Sequence, residues 1–235
     1  MGTANRGPSM DKPKIYVIIP WKHHDSRLRA YEMVREWYDK NLPEATVVAL
    51  TYSEVEWLPS HTRNLGVRFA EGNGADIVIM NDADTIPEGT ESLRKAIEAA
   101  MSDNFIHNPY HEYRFYDLDN TNKYFSGTPF IHCQFRIEHG STAGIWVFKP
   151  SSWWLLGGMD EKFKKWGYED SAFEYVHKIV HGISLVKHKG YVHAFDHERS
   201  QTMESPGKEL IDNYNLCKHY FTITNSDDIL RLVRS

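Results

Sequence analysis

An apolar run that ends in two acids places the strongest constraint on this chain. Residues 77–80 read IVIM, and residues 81–87 continue as NDADTIP. A short, continuously apolar segment is typical of a strand that is buried on both faces, as in a parallel sheet. Ligands bind beyond the carboxyl ends of such strands, where Asp82 and Asp84 would lie. The segment therefore predicts an α/β protein with two carboxylates at its ligand-binding edge.

The spacing of Asp82 and Asp84 allows two interpretations. Two neighbouring carboxylates repel each other unless a cation or a hydrogen-bond donor lies between them. Oxygen ligands suit a hard divalent ion such as Mg²⁺ or Mn²⁺, and such an ion suits a phosphate-bearing ligand. In the structural alternative, both side chains cap the following turn through hydrogen bonds to its backbone. An Asp-x-Asp pair alone does not decide between the two.

Strands and helices alternate on either side of this segment. Apolar periodicity predicts strands at 14–19, 46–50 and 76–80, separated by helices at 25–40 and 62–71. Right-handed crossovers between such strands give a parallel sheet. Later elements follow the same reasoning: a helix capped by Thr90, short β-like pieces over 105–149, a strand at 145–148, a helix at 171–181 and a strand at 183–187. We expect Asp25 or Ser26 to cap the first helix.

Length, charge and cysteine content narrow the class of protein. The 235 residues suffice for one α/β domain, and the net charge of −5 gives no overall basic footprint for nucleic acid, although a local basic patch stays open. Cys133 and Cys217 lie far apart without metal-type spacing, so we expect a reduced, cytoplasmic protein. No apolar run approaches the roughly 18 residues of a membrane span. We expect a disordered leader over 1–13, one domain over 14–235, and a mobile lid between His193 and Gly207.

Four separated segments carry a resemblance to a known family. They are VIIPWK at 17–22, RNLGVRFA at 63–70, the Asp-x-Asp at 82–84, and the pair GGMDE at 157–161 and WGYED at 166–170. In this order, and at these separations, they resemble nucleotide-sugar glycosyltransferases of the GT-A fold, of family 2 and the β-1,4-galactosyltransferase-like enzymes. The resemblance covers about residues 14–195.

The resemblance implies a Rossmann-like fold with a mostly parallel central sheet flanked by helices. It implies a nucleotide-binding half over 14–100, an acceptor-binding and catalytic half over 101–200, and a C-terminal lid with helices over 201–235. It also implies a divalent ion, Mn²⁺ or Mg²⁺, and a nucleotide-sugar donor, expected to be a UDP-sugar.

The metal ligands follow from the same resemblance. Asp84 would bind the metal directly, and Asp82 would contact the donor ribose or reach the metal through water. His193 is expected to follow a strand and to supply a third ligand, with His188 and His197 as nearby rivals. An imidazole ligand favours Mn²⁺ over Mg²⁺.

The adjacent acids Glu169 and Asp170 would act on the acceptor. The resemblance assigns Asp170 as the general base and Glu169 as an acceptor contact, and one carboxylate suffices for a single displacement with inversion. Taken from the residues alone, the pair is equally explained by the preference of a helix N-terminus for negative charge. Three tryptophans are candidates for an acceptor platform: Trp153, Trp154 and Trp166.

Donor contacts are expected near the first strand. Pro20 ends that strand, and Trp21 would stack on the base or serve as an ordinary rim aromatic. Lys22, Arg27 and Arg63 are candidates for diphosphate or base contacts.

Three further residues complete the expected donor site. Gly144 would let the sugar approach the backbone, or is only a strand glycine. Glu54 would accept a hydrogen bond from a uracil imide. Asn64 is interpreted as a hydrogen bonder at a helix start.

The function expected from this set is metal-dependent, inverting transfer of a sugar from a nucleotide-sugar to an acceptor hydroxyl. The acceptor stays open among a glycan, a protein side chain, a lipid-linked sugar and a modified nucleobase. A nucleotidyltransferase is the second enzyme hypothesis, although residues 21–24 (WKHH) do not form its usual glycine-rich, basic phosphate loop. A catalytically silent sugar- or protein-binding module is the third.

Overall fold

A computed structural model describes residues 12–52, 56–198 and 205–235. The expected leader up to residue 11, Glu54 and the central part of the expected lid lie outside the described residues. The strands are β1 (Ile15–Pro20), β2 (Thr46–Leu50), β3 (Ile77–Asn81), β4 (Thr85–Pro87), β5 (His107–Asn108), β6 (Glu112–Tyr116), β7 (Arg136–Ile137), β8 (Ile145–Phe148), β9 (Val186–Lys187) and β10 (Tyr191–Phe195). The helices are α1 (Asp25–Asn41), α2 (Pro59–Gly72), α3 (Glu91–Ser102), α4 (Leu118–Phe125), α5 (Pro150–Leu155), α6 (Glu169–His181), α7 (Lys208–Tyr220) and α8 (Ser226–Arg234).

The main sheet has six strands in the order β2-β1-β3-β8-β5-β9. β1 is parallel to β2 and β3, β8 is antiparallel to both β3 and β5, and β5 is parallel to β9. Five of the six strands therefore run in one direction, and the prediction of a mostly parallel sheet is confirmed. β1 and β3 are buried along their whole length, which explains their continuous apolar sequences.

A second, four-stranded sheet in the order β4-β10-β6-β7 was not predicted. β10 is parallel to β6 and antiparallel to β4. β3 belongs to the main sheet and β4 to the second, so the turn at residues 82–84 links the two. The two acids of the Asp-x-Asp segment therefore lie where the sheets meet.

Two apolar cores cover the two faces of the main sheet. Alternate residues of β1 point to opposite faces, so Val17 belongs to one core and Ile18 to the other. α1 and α3 cover the first face, whereas α2, α5 and α6 cover the second. α7 and α8 add Cys217, Tyr220 and Ile229 to the second core. The last thirty residues are thus part of the packed domain.

Several element boundaries differ from the predictions. His24, not Asp25 or Ser26, caps α1, and its Nδ1 accepts a hydrogen bond from the Ser26 amide at 3.3 Å. α2 begins at Pro59, three residues earlier than predicted, because proline is favoured in the first turn of a helix. α6 begins at Glu169, two residues earlier than predicted. α4 was missed within the region that we expected to be β-like.

Asn64 joins two of the four segments that carry the family resemblance. Its side-chain Nδ2 donates to the Met159 carbonyl at 2.9 Å, and its Oδ1 accepts from the Met159 amide at 3.0 Å and from Trp153 Nε1 at 2.9 Å. Asn64 lies in the interior of α2 rather than at a helix start, which corrects our interpretation of this residue. These bonds fix α2 against the loop at 157–161.

Gly66 allows α2 to pack closely on the main sheet. A Cβ atom added at Gly66 would overlap Cγ2 of Ile18, which is fully buried in β1. Gly72, at the end of the same helix, has no atom within 4 Å of such a Cβ. The two glycines differ mainly in the space around them.

Gly66→Ala should therefore lower the free energy of unfolding by about 1–3 kcal/mol through overpacking. Gly72→Ala is the matched control and should be neutral or stabilise the protein by up to about 1 kcal/mol. Urea unfolding of both variants measures the difference. Equal free energies of unfolding for the two variants would show that α2 does not pack against Ile18 of β1 as closely as the structure indicates.

Candidate active site

The Asp-x-Asp turn is held by the residue before it. Asn81, at the end of β3, donates from Nδ2 to the carbonyls of Asp82 at 2.6 Å and Thr85 at 2.9 Å. Its Oδ1 accepts from the Tyr38 hydroxyl at 2.6 Å. Asn81 is fully buried, so these bonds fix the turn from inside the protein.

A buried arginine lies among the predicted acids. Arg63 Nη2 is 3.0 Å from Asp82 Oδ1, and Nη1 is 3.3 Å from both Glu169 Oε1 and Asp170 Oδ1. The Arg63 side chain is only 6% exposed. Burial opposes its charge, but the carboxylates of Asp170, Asp82 and Glu169 outweigh burial and raise the pKa of Arg63. The structure thus brings Asp82, Glu169 and Asp170 together around one permanent cation.

Asp170 is a carboxyl group in an unusual environment. Burial raises its pKa well above the ordinary range, the charges of Glu169 and Asp82 add to this effect, and Arg63 opposes it. Its Oδ1 is buried and faces Arg63, while the side chain as a whole keeps 21% exposure. A carboxylate with a raised pKa and partial access to solvent is suited to accept a proton.

Glu169 has a different environment from its neighbour. Its side chain is 5% exposed, Oε1 faces Arg63, and Oε2 accepts a hydrogen bond from the Gly167 amide at 2.9 Å. Gly167 and Tyr168 have φ values of 113° and 70°, so the chain before α6 makes a left-handed turn. Both carboxylate oxygens of Glu169 are therefore occupied, one by Arg63 and one by the turn. Little of the carboxylate is left exposed for the acceptor contact that we expected.

Within the residues that the structure describes, Asp84 contacts two basic side chains from different parts of the chain. Its Oδ2 is 3.2 Å from Arg27 Nη2 and 3.3 Å from His197 Nε2. The amide of Phe195, the last residue of β10, donates to the Asp84 carbonyl at 2.9 Å. This bond pins the end of β10 to the turn and places His197 two residues beyond it.

His193, the expected metal ligand, lies elsewhere. It is inside β10 rather than after a strand, it is fully buried, and its ring stacks on Phe130 with centroids 3.7 Å apart. Its Nδ1 is 2.8 Å from the Tyr116 hydroxyl. Burial lowers the pKa of His193 to about 3, so the imidazole stays neutral. His197, the rival to His193, lies two residues after the end of β10 and approaches Asp84.

The residues at Asp84 suit a divalent ion in part. Within the described residues, no group of three or more His, Cys, Asp and Glu side chains is arranged to hold a metal. Asp84 and His197 do place one carboxylate and one imidazole within reach of a single ion. Mg²⁺ and related ions are commonly held by one or two carboxylates and completed by substrate phosphates and water. The pair therefore fits a metal that binds together with a diphosphate, and the imidazole favours Mn²⁺.

Of the residues expected to contact the donor, Arg63 lies among the acids, whereas Pro20, Trp21 and Lys22 lie at the end of β1 and just after it. Pro20 is buried at the end of β1, and Lys22 lies with Trp21 in the connection to α1. The Trp21 ring stacks on Tyr31, with centroids 4.2 Å apart and an angle of 13° between the ring planes. One face of the indole is therefore already covered. Arg63, expected at the diphosphate, is instead enclosed by carboxylates.

Gly144 adjoins the Asp-x-Asp turn. Its carbonyl accepts a hydrogen bond from the Asp82 amide at 2.8 Å, and its φ is 92°. A Cβ atom here would lie 2.9 Å from Tyr113 Cε2 and 3.2 Å from Thr85 Cγ2. The left-handed backbone and the close packing explain the glycine without a ligand.

The fold has counterparts among solved structures. The catalytic domain of Drosophila β-1,4-galactosyltransferase 7 in complex with xylobiose matches with a TM-score of 0.54 and 15% identity, over 92% of this chain and 84% of that one. GalNAc-T7 with UDP, GalNAc and Mn²⁺ matches with a TM-score of 0.53 and 10% identity, over 89% of this chain and 50% of that one. This protein has the GT-A glycosyltransferase fold. The fold predicted from the four segments is thereby confirmed.

One further solved structure matches less well, and the sequence itself has no match. A mutant of the Drosophila enzyme with manganese, UDP-Gal and xylobiose matches with a TM-score of 0.46 and 14% identity, over 75% of this chain and 65% of that one. This chain thus spans just under two thirds of that structure. No protein-family model and no curated protein sequence matches the chain. Among the described residues, no helix is both long enough and apolar enough to cross a membrane.

The raised pKa of Asp170 leads to a prediction about stability. A carboxyl group whose pKa is higher in the folded than in the unfolded protein favours folding while protonated. This stabilisation is complete below the unfolded pKa of about 3.9 and is lost as the pH rises through the folded pKa. Asp170→Asn should therefore increase the free energy of unfolding at pH 8, relative to wild type, more than at pH 4.

Urea unfolding of wild type and Asp170→Asn at both pH values measures this difference. Asp39→Asn, on the exposed surface of α1, serves as the control and should change stability by less than about 0.5 kcal/mol at either pH. A variant at Asp170 that loses stability as the pH rises, relative to wild type, would show that the ionised carboxylate is stabilised in the folded protein.

Proposed function

We propose that the protein is a metal-dependent glycosyltransferase, which moves a sugar from a nucleotide-sugar to an acceptor hydroxyl with inversion. One observation carries this proposal. Asp82 of the Asp-x-Asp turn and Asp170 at the start of α6 bind the same guanidinium, at 3.0 and 3.3 Å, on a GT-A fold. The group expected to bind the donor and the group expected to activate the acceptor thus lie on either side of one guanidinium.

Asp84 and His197 would hold the divalent ion. The ion would neutralise charge on the diphosphate leaving group. Mn²⁺ and UDP are both bound by GalNAc-T7, a structural neighbour, so we propose a UDP-sugar as donor and Mn²⁺ as the ion. Asp82 keeps 25% of its side chain exposed beside Arg63 and would contact the donor ribose.

Asp170 would take the proton from the acceptor hydroxyl as that oxygen attacks the anomeric carbon. A single displacement of this kind inverts the configuration, and a lone carboxylate is enough to assist it. Arg63 and Glu169 would act as positioning residues. Arg63 fixes Asp170 relative to Asp82, and Glu169 fixes Arg63 and the turn at Gly167.

The acceptor that we propose is a glycan. Xylobiose, a sugar, is bound by the Drosophila galactosyltransferase domain that shares this fold. Of the three tryptophans considered for an acceptor platform, Trp153 is fully buried, and Trp154 donates to Glu71 at 3.0 Å. Trp166 is 37% exposed, next to the turn that leads to Asp170. We therefore propose Trp166 as the surface on which an acceptor sugar would stack.

The test is turnover of a panel of UDP-sugars with Mn²⁺, with and without glycan acceptors, by the full chain. Asp84→Asn should lower both donor hydrolysis and transfer by at least about 100-fold, because it removes a metal ligand. Asp170→Asn should lower transfer by about 100- to 10,000-fold, the usual contribution of a general base.

Asp39→Asn again serves as the control and should leave both rates unchanged. Turnover that is equal in wild type and Asp84→Asn would reject the metal site. Absence of turnover by wild type with every UDP-sugar, combined with tight UDP binding, would favour a silent binding module.

A further inference from the structure

Asp84 is paired with a cation that belongs to the protein itself. Arg27, in the first turn of α1, places Nη2 3.2 Å from Asp84 Oδ2, the oxygen that His197 Nε2 also approaches at 3.3 Å. The three side chains are between 15% and 19% exposed. The ion pair is therefore largely removed from solvent, where charges interact more strongly than in water.

The two basic groups at this oxygen differ in what they can do when a metal arrives. A neutral imidazole has a lone pair and can become a metal ligand, so His197 can stay beside Asp84. A guanidinium is always charged and has no acceptor atom, so Arg27 can only repel a divalent ion at the same oxygen. A divalent ion that binds this same oxygen would therefore displace Arg27 from it.

Few polar contacts hold the Arg27 side chain in the part of the chain that the structure describes. Its Nε is buried and has no hydrogen-bond partner within the part of the chain that the structure describes. In that same part, Asp84 is the carboxylate with which Arg27 forms an ion pair. Arg29, two residues further along α1, is by contrast half exposed and pairs with Glu32 and Glu36 on its own helix.

We propose that Arg27 is an internal competitor of the metal, which occupies the Asp84 carboxylate until a divalent ion displaces it. The proposal rests on the function proposed above, since it takes Asp84 as a metal ligand. Arg27 weakens metal binding in the absence of donor. Its displaced guanidinium is then available to an anionic diphosphate, so that ion and donor bind best together.

The experiment is a titration of the full chain with Mn²⁺ alone, without nucleotide, in which free Mn²⁺ is measured by electron paramagnetic resonance. Arg27→Met should bind Mn²⁺ at least about tenfold more tightly than wild type, because a like charge beside the site is removed. Arg27→Lys retains the charge and should stay near wild type. Arg29→Met removes the same charge from an exposed position of the same helix and should also stay near wild type.

The variant Asp84→Asn tests whether Arg27 affects Mn²⁺ binding through the Asp84 carboxylate. In an Asp84→Asn background, Arg27→Met should no longer increase Mn²⁺ affinity. Wild type, the two single variants and the double variant together form a double-mutant cycle. Arg27→Gln is the second variant, to be used if Arg27→Met does not fold by circular dichroism.

Two outcomes would overturn the inference in distinguishable ways. If Asp84→Asn loses Mn²⁺ but Arg27→Met and Arg27→Gln bind it as wild type does, Arg27 does not compete and the proposed metal site stands. If Asp84→Asn binds Mn²⁺ as tightly as wild type, the metal site and the competitor both fall.

Discussion

The arrangement of this protein depends on one buried guanidinium among three carboxylates. A charge as deeply buried as that of Arg63 is tolerated only when it is paired, and a buried charge left without any partner commonly costs about 3–5 kcal/mol. Arg63 comes from α2, Asp82 from the turn after β3, and Glu169 and Asp170 from the start of α6. The four groups sum to a formal charge of −2, so the centre remains attractive to a further cation. Burial raises the pKa of Asp170, and the negative charges of Glu169 and Asp82 add to this effect.

The junction of the two sheets explains how remote residues reach this centre. β3 enters the Asp-x-Asp turn from the main sheet, and β4 leaves it as part of the second sheet, where it pairs with β10. The bond from the Phe195 amide to the Asp84 carbonyl then brings His197 to the turn. On the opposite side, Asn64 fixes the loop at 157–161 to α2, and the Tyr220 hydroxyl donates to Asp160 of that loop at 2.8 Å. The C-terminal helices thus support the loop that leads to Asp170.

The sequence predicted those parts of the structure that depend on local pattern. β1, β2 and β3 were predicted because each is a short apolar run between polar turns, although only β1 and β3 are buried along their whole length. β4 was missed because it has three residues, and α4 because its polar sequence, LDNTNKYF, has only two buried residues. β10 was not predicted as a strand, and His193 lies inside it instead of after a strand.

The chemical environment of each site residue was harder to predict than its presence. Whether Arg63 faces a ligand or is enclosed by acids depends on Glu169 and Asp170, more than 100 residues away. Likewise, adjacent acids look equivalent in the sequence, but the left-handed turn at Tyr168 buries Glu169 and leaves Asp170 partly exposed. Such differences arise from tertiary packing, which periodicity does not encode.

The most direct test of the account is a crystal soaked with Mn²⁺ and UDP, measured at a wavelength at which manganese scatters anomalously. The account predicts one anomalous peak between the Asp84 carboxylate and the His197 imidazole, with the diphosphate beside it and Arg27 turned away from Asp84. A peak at His193, or any peak that touches neither Asp84 nor His197, would contradict it.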